Sequence, residues 1–199
     1  MTARFLDLTF TPAVRAAQQA HGSREAYARR EGGGDAPDRL SEREAGFIAA
    51  RDSFYMASVN EAGWPYIQHR GGPPGFVKII DDRTLGLADF RGNRQYLSVG
   101  NLAADNRVAL FFMDYPARAR LKLLGRARIV DLAAAPDLRA ALADKGYRAQ
   151  IERGILIEVE AFDWNCPQHI TPRYTMAEID PMIDLLKARI AELETVRDA

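Results

Sequence analysis

From Gln68 to Gly75 the chain reads Gln-His-Arg-Gly-Gly-Pro-Pro-Gly. Neither a helix nor a strand can run through this octet. Each proline fixes φ and lacks an N–H, and each glycine opens backbone conformations closed to other residues. Strand-like segments flank it, so any fold for this chain must place a rigid corner between two strands at this point. An imidazole and a guanidinium stand immediately before the corner. Two readings are open: an ordinary connection with an incidental Arg70, or an anion site in which Arg70 forks onto a phosphate while glycine amides approach it.

The flanking segments have the two-residue period of strands. Phe54–Val59 leads through the turn residues Asn60–Gly63 into Trp64–Gln68. Phe76–Ile80 turns at Asp81–Thr84 into Leu85–Ala88, and Arg107–Met113, Arg120–Val130 and Gly154–Phe162 follow. In Arg120–Val130, alternation puts Leu121, Leu123, Ala127 and Ile129 on one face and Lys122, Arg126 and Arg128 on the other, with a bulge or bend expected at Gly125. Six or seven short strands in meander order, with helices between and around them, predict a mainly β fold, a small antiparallel barrel with flanking helices. A doubly wound sheet would need strands alternating with helices throughout, and the middle of the chain does not alternate so.

The helices are read from their caps. Thr11-Pro12 opens one that continues over Val14–Arg30 and ends at Glu31-Gly-Gly-Gly-Asp35. Ser41-Glu-Arg-Glu44 is a capping box opening a helix that turns Phe47 and Ile48 inward. Shorter helices are expected over Tyr96–Asp105 and Pro136–Gln150. A last one, from about Glu178, carries Ile179, Met182, Ile183, Leu186, Ile190 and Leu193 as one apolar stripe, packed on the barrel or on a second subunit. The domain organisation expected is a helical extension over 1–40, a barrel over 41–175 and a C-terminal helix over 176–199.

Composition narrows the function classes. The 27 basic and 27 acidic residues cancel, which argues against a general nucleic-acid binder. A single cysteine, Cys166, leaves no intramolecular disulfide and no thiolate cluster for zinc, and reads as a small buried group. His21, His69 and His169 lack ligand spacing, so no metal site is expected. The start lacks the apolar run of a signal peptide and no stretch reaches membrane-spanning length, so a cytoplasmic protein with no membrane partner is expected. No Walker loop, G-x-G-x-x-G or G-x-S-x-G occurs.

Two further stretches carry chemistry. Arg91-Gly-Asn-Arg94 precedes a helix, an arrangement that suits an anion or, equally, a solvated turn. Trp164-Asn-Cys-Pro-Gln-His-Ile-Thr-Pro-Arg-Tyr174 is irregular, polar and aromatic, and Trp164 can stack on a flat ligand or cover a core edge.

Asp89-Phe-Arg-Gly-Asn-Arg-Gln-Tyr-Leu-Ser-Val-Gly-Asn101, Arg107-Val-Ala-Leu-Phe-Phe112 and Arg120-Leu-Lys-Leu-Leu-Gly-Arg-Ala-Arg128 together resemble the pyridoxamine 5'-phosphate oxidase-like family of flavin-nucleotide-binding proteins. Gln68–Gly75 and Asp163–Ile170 resemble a subgroup known only as flavin-nucleotide-binding. The resemblance, from about Leu40 to Tyr174, implies a split β-barrel and a homodimer with FMN at the subunit interface. It assigns Phe76, Val77, Lys78 and Ile79 to the flavin edge, and Ala88, Asp89, Asn93, Arg94 and Gln95 to the next strand and turn, Asn93 and Arg94 clamping the phosphate. It also implies Arg70 and Gly71 at the rim, and Trp164, Gln168 and His169 reaching over from the partner. The activity implied is flavin-dependent oxidoreduction of a small molecule with electrons from NAD(P)H. The alternative is a flavin carrier, sensor or haem-related binder without turnover, and a deazaflavin is an alternative to FMN. Phe76 stands where a basic residue is usual and the chain ends in an unrelated helix, so oxidation of pyridoxamine phosphate itself is not expected.

Overall fold

The computed structural model describes residues 1–164 and 167–197; Asn165 and Cys166 lie outside the described residues. Seven strands form one antiparallel sheet: β1 (Ser53–Val59), β2 (Pro65–Gly71), β3 (Val77–Asp81), β4 (Thr84–Phe90), β5 (Arg107–Asp114), β6 (Ala119–Val130) and β7 (Ile151–Trp164). Their spatial order is β2-β1-β5-β6-β7-β4-β3, so the expected antiparallel barrel is present but open, a split barrel. The order departs from a meander. β2 and β3 follow each other in the chain yet stand at opposite edges of the ladder, because the corner between them cannot make a hairpin.

That corner is built as its residues dictate. Gly75 has φ +81°, and a Cβ at Gly72 would lie 2.7 Å from Phe76 Cβ. The amides of Gly72 and Gly75 donate to the carbonyls of Asp52 (2.9 Å) and Arg51 (3.2 Å), tying the corner to the start of β1. Pinned in this way, the chain turns Phe76 into the core, where its ring stacks 5.9 Å from Phe54, which in turn stacks 4.8 Å from Phe112. Leu85, Leu87, Leu110, Leu121, Leu123, Ile155, Ile157 and Val159 complete this core. Leu121, Leu123 and Ala127 are buried as their alternation predicts. Opposite the Leu124–Gly125 step the register slips past Glu160, so the extra residue of the expected bulge lies on β7.

The helices are α1 (Ala3–Thr9), α2 (Pro12–Ala20), α3 (Arg24–Ala28), α4 (Glu42–Ala49), α5 (Leu97–Ala104), α6 (Pro136–Leu142) and α7 (Met176–Arg197). The expected Val14–Arg30 helix is divided at His21–Ser23, where Gly22 adopts φ +72°. The expected Pro136–Gln150 helix stops at Leu142: Lys145 and Gly146 are followed by a strand, and Gly146 has φ +85°. α1 covers β7 on the side away from the core, with Phe5 and Leu6 buried and Arg4 bonded to Glu160 at 3.0 Å. α4 has both arms of its capping box, and Glu44 accepts from Trp164 Nε1 at 2.6 Å, which fixes the end of β7 against α4. None of the helices among the described residues is long and apolar enough to cross a membrane.

Candidate functional site

β3 pairs with β4 only as far as Leu87, so Ala88, Asp89 and Phe90 run on beyond it. The stretch left uncovered faces β2, the other edge of the ladder. β2 alternates Tyr66, Gln68 and Arg70 on the face that its neighbour β1 fills with Ser58, Met56 and Phe54. The inward face of β2 is therefore polar where that of β1 is mostly apolar, and the barrel cannot close dry at this seam. Arg70 bridges the gap: its Nη1 donates to Asp89 Oδ1 at 2.6 Å. Arg153, across from Asp89 on β7, stands 3.8 Å from the second carboxylate oxygen and donates to Glu152 at 2.7 Å.

On one side of this bridge lies a cleft of about 230 Å³, walled by Tyr66, Gln68, Arg70, Asp89, Phe90 and the segment from Gly92 to Val99. On the other, a smaller one of about 160 Å³ reaches Gly71, Phe76 and Ala88. The segment 93–96 is held in uncommon backbone: Arg94 (φ +61°) and Tyr96 (φ +54°) are both left-handed. Non-glycine residues in this region cost about 1–2 kcal/mol each, and such strain gathers at functional sites. Local bonds maintain it, from Gln95 N to Asn93 Oδ1 (3.1 Å) and from Arg94 Nε to Tyr96 Oη (3.2 Å). The bond to Tyr96 raises the Arg94 guanidinium pKa above its already high ordinary value. Tyr96 is also under Arg153, whose guanidinium carbon is 4.8 Å from the ring centroid.

Tyr96 is the N-cap of α5 and makes no side-chain cap. The first amides of a helix have no partner within it, so those of Leu97, Ser98 and Val99, residues that line the cleft, are donors without a cap, at the positive end of the helix dipole. α5 is fixed in place by Leu102 in the core and by a buried bond from Asn101 Nδ2 to Ser58 Oγ at 2.9 Å. Two guanidinium groups, Arg70 and Arg94, line the cleft, and its two carboxylates, Asp89 and Glu152, are already paired, with Arg70 and Arg153 and with Arg91 and Arg153 respectively. Arg70 Nε is buried without a hydrogen-bond partner. The donor set is that of a site for an anion.

A family model for pyridoxamine 5'-phosphate oxidase matches residues 40–196. The chain belongs to that family. The match covers the whole split barrel and runs on through most of α7, beyond Tyr174 where the recognisable motifs end. A search of curated proteins returned no match. Among solved structures, the chain is similar to HupZ of Group A Streptococcus (15% identity over 68% of this chain and 99% of that one, TM-score 0.48). It is similar also to a Clostridium acetobutylicum protein related to general stress protein 26 (18%, 69% and 94%, TM-score 0.43). A third is an FMN-binding protein of Syntrophomonas wolfei (13%, 77% and 95%, TM-score 0.44). At these values no site residue is carried from them to this chain.

Within this family member, the residues singled out from sequence fall into three groups. Arg70, Asp89, Asn93, Arg94 and Gln95 meet around the larger cleft, and Gly71, Phe76 and Ala88 border the smaller one. Val77 is buried in the core with Ile79 packed against it, and Lys78 is bonded to Asp144 and, at 2.8 Å, to the Gly75 carbonyl. Trp164 packs edge-on against Phe47 at 4.7 Å, with Arg43 4.3 Å over its ring; Gln168 and His169 are exposed, and none of these three lines either cleft. His69 sets its ring against Tyr55 at 5.5 Å.

Tyr66, Gln68, Ser98, Glu152 and Arg153 join the site without having been foreseen. Tyr66 and Gln68 had a signal: with Arg70 in a site, the residues two and four before it on a strand share its face. Arg153 had none, since a cross-strand register places it beside Asp89.

Proposed function

We propose that this protein binds FMN in the split between β2 and β4 and uses it as a redox cofactor for a small molecule. The observation that carries the reading is the convergence of Asn93, Arg94, Gln95 and the uncapped start of α5 on one strained turn at the end of the cleft. Arg gives a bidentate, permanently charged contact to phosphate, and helix amides add donors at no reorganisation cost. Asn93, Arg94, Gln95 and Ser98 would hold the phosphate, while Tyr66, Gln68, Arg70 and Phe90 would face the rest of the nucleotide. The bound flavin would supply hydride or single-electron transfer; the protein orients it and tunes it. The carboxylates of the cleft are neutralised by guanidinium groups, so the chain's own part is binding, orientation and an electropositive surround rather than proton transfer.

The cleft is smaller than the roughly 300–1,000 Å³ of most small-molecule sites, which favours one completed by a second copy of the chain. A homodimer is supported by a partly exposed apolar band on the outer face of the sheet. There Ile67, Ala57, Ala109 and Leu124 lie opposite one another across β2, β1, β5 and β6, beside Tyr55 and Phe111. Purified protein is expected to be yellow, or to become so with added FMN, and to bleach anaerobically under NADH or NADPH. Yellow protein indifferent to both nucleotides would leave a flavin binder without this turnover; protein that takes up no FMN would refute the proposal.

A further inference from the structure

α7 does not bury its apolar residues on the barrel. Met176, Met182, Leu185, Leu186, Ile190, Leu193 and Val196 are all more than half exposed. Four of them, Met176, Leu186, Ile190 and Leu193, fall in a regular order with the half-buried Ile179 and Ile183. Met176, Ile183 and Ile190 recur at seven residues, and Ile179, Leu186 and Leu193 do the same three residues later. The two series are the a and d positions of three consecutive heptads over a helix about 33 Å long. Isoleucine at the two later a positions with leucine at the two later d positions is the combination that favours two parallel strands. Pro181, the residue least suited to a helix interior, falls at an f position, outside the seam.

Charge decides the direction. In a parallel pair, each g residue faces the e residue of the following heptad in the other strand. Arg189 (g) would then face Glu194 (e), once on each side of the seam. An antiparallel pair with the same six positions fully overlapped sets e against e and g against g. Lys187 would face Lys187 and Asp180 would face Glu194, like charges in both cases. We infer that α7 pairs with α7 of a second copy as a short parallel coiled coil, Arg189 of each strand against Glu194 of the other. The two-fold axis of such a pair runs along the helices, so the barrels of both copies lie at the same end of it. The inference does not rest on the FMN reading.

The test is disulfide trapping in the full chain with its one cysteine removed, Cys166→Ser. Leu193→Cys, in the seam, is expected to form linked dimers at least about tenfold faster than Thr195→Cys, which points away from it, because cross-linking needs Cα atoms within about 7 Å. Arg189→Glu added to Leu193→Cys should slow trapping severalfold, and Glu194→Arg added to both should restore it; these exposed changes leave the seam's apolar residues untouched. Equal rates at positions 193 and 195 would overturn the inference. Faster trapping in a mixture of Met176→Cys and Leu193→Cys chains than in Leu193→Cys alone would overturn it too, since that pairing is antiparallel.

Discussion

Arg70 and Asp89 are joined at 2.6 Å, although their strands lie at opposite ends of the seven-strand ladder, β2 at one edge and β4 next to the other. The bridge spans the split of the barrel, and the clefts on either side of it share both residues as wall. Both side chains are largely buried, at 13% and 14% exposure. Such a pair gives little net stability against apolar replacements, but removing one partner alone leaves a charge without compensation.

Asp89→Ala is therefore expected to destabilise the fold by about 2 kcal/mol, less than for a fully buried pair because the site is partly open to water. Adding Arg70→Met should recover part of the loss. A urea-denaturation double-mutant cycle measures the coupling; strictly additive losses would show that the bridge does not hold the seam.

Gly72→Ala should cost about 1–3 kcal/mol, because the new Cβ would overlap Phe76, whose ring is stacked on Phe54 in the core. Gly75→Ala should cost about 1–2 kcal/mol, chiefly through its left-handed backbone, with the new Cβ 3.3 Å from the Ala49 carbonyl oxygen. The two are separable by near-ultraviolet circular dichroism, which should change for Gly72→Ala and stay unchanged for Gly75→Ala.

Glu44 supplies a pH dependence with a definite sign. Burial raises its pKa, but the bonds it accepts from Ser41, Trp164 and the Ser41 amide outweigh this and leave it below the ordinary carboxylate value. A carboxylate lowered in the folded state stabilises fully above its unfolded pKa of about 4.3, and that contribution disappears as the pH falls through the lowered folded value. Glu44→Gln should be less stable than the parent at pH 7 by about 1–2 kcal/mol. Between pH 5 and 3, a range of about two units around that pKa, the variant should lose less stability than the parent. Urea midpoints at several pH values check both.

Arg94→Ala should leave the urea midpoint unchanged, since the side chain is exposed and bonded only to Tyr96 among the contacts resolved around it. It should weaken FMN binding by about tenfold or more, the loss expected for a charge-assisted phosphate contact. Fluorescence-quenching titration of FMN reads the effect; unchanged affinity would remove Arg94 from the phosphate site.

What was legible in the sequence was local. The Ser41–Glu44 capping box, the Gly-Pro corner and the alternation of β6 depend on residues close together in the chain, and the structure contains all three. The β1–β5 and β4–β7 pairings join distant segments, and they decide that β2 and β4 face each other across a gap. Nothing in Arg70 alone indicates Asp89 as its partner. The corner itself was legible as rigid, but its effect was not: it holds Phe76 in the core while the polar face of β2 stays at the opening. Lys78 shows the converse. The family resemblance assigns it to the flavin edge, yet it lines neither cleft, and its bond to Asp144 depends on where the chain goes after α6.

The central claim, that this split holds FMN by its phosphate, is tested most directly by comparing FMN with riboflavin, which has the same ring and side chain without the phosphate. Titration calorimetry on the purified full chain is predicted to show FMN bound at least about tenfold more tightly than riboflavin, the size of a charge-assisted phosphate contact, with added inorganic phosphate narrowing the difference. Equal affinity for both, or binding of neither, would contradict the account.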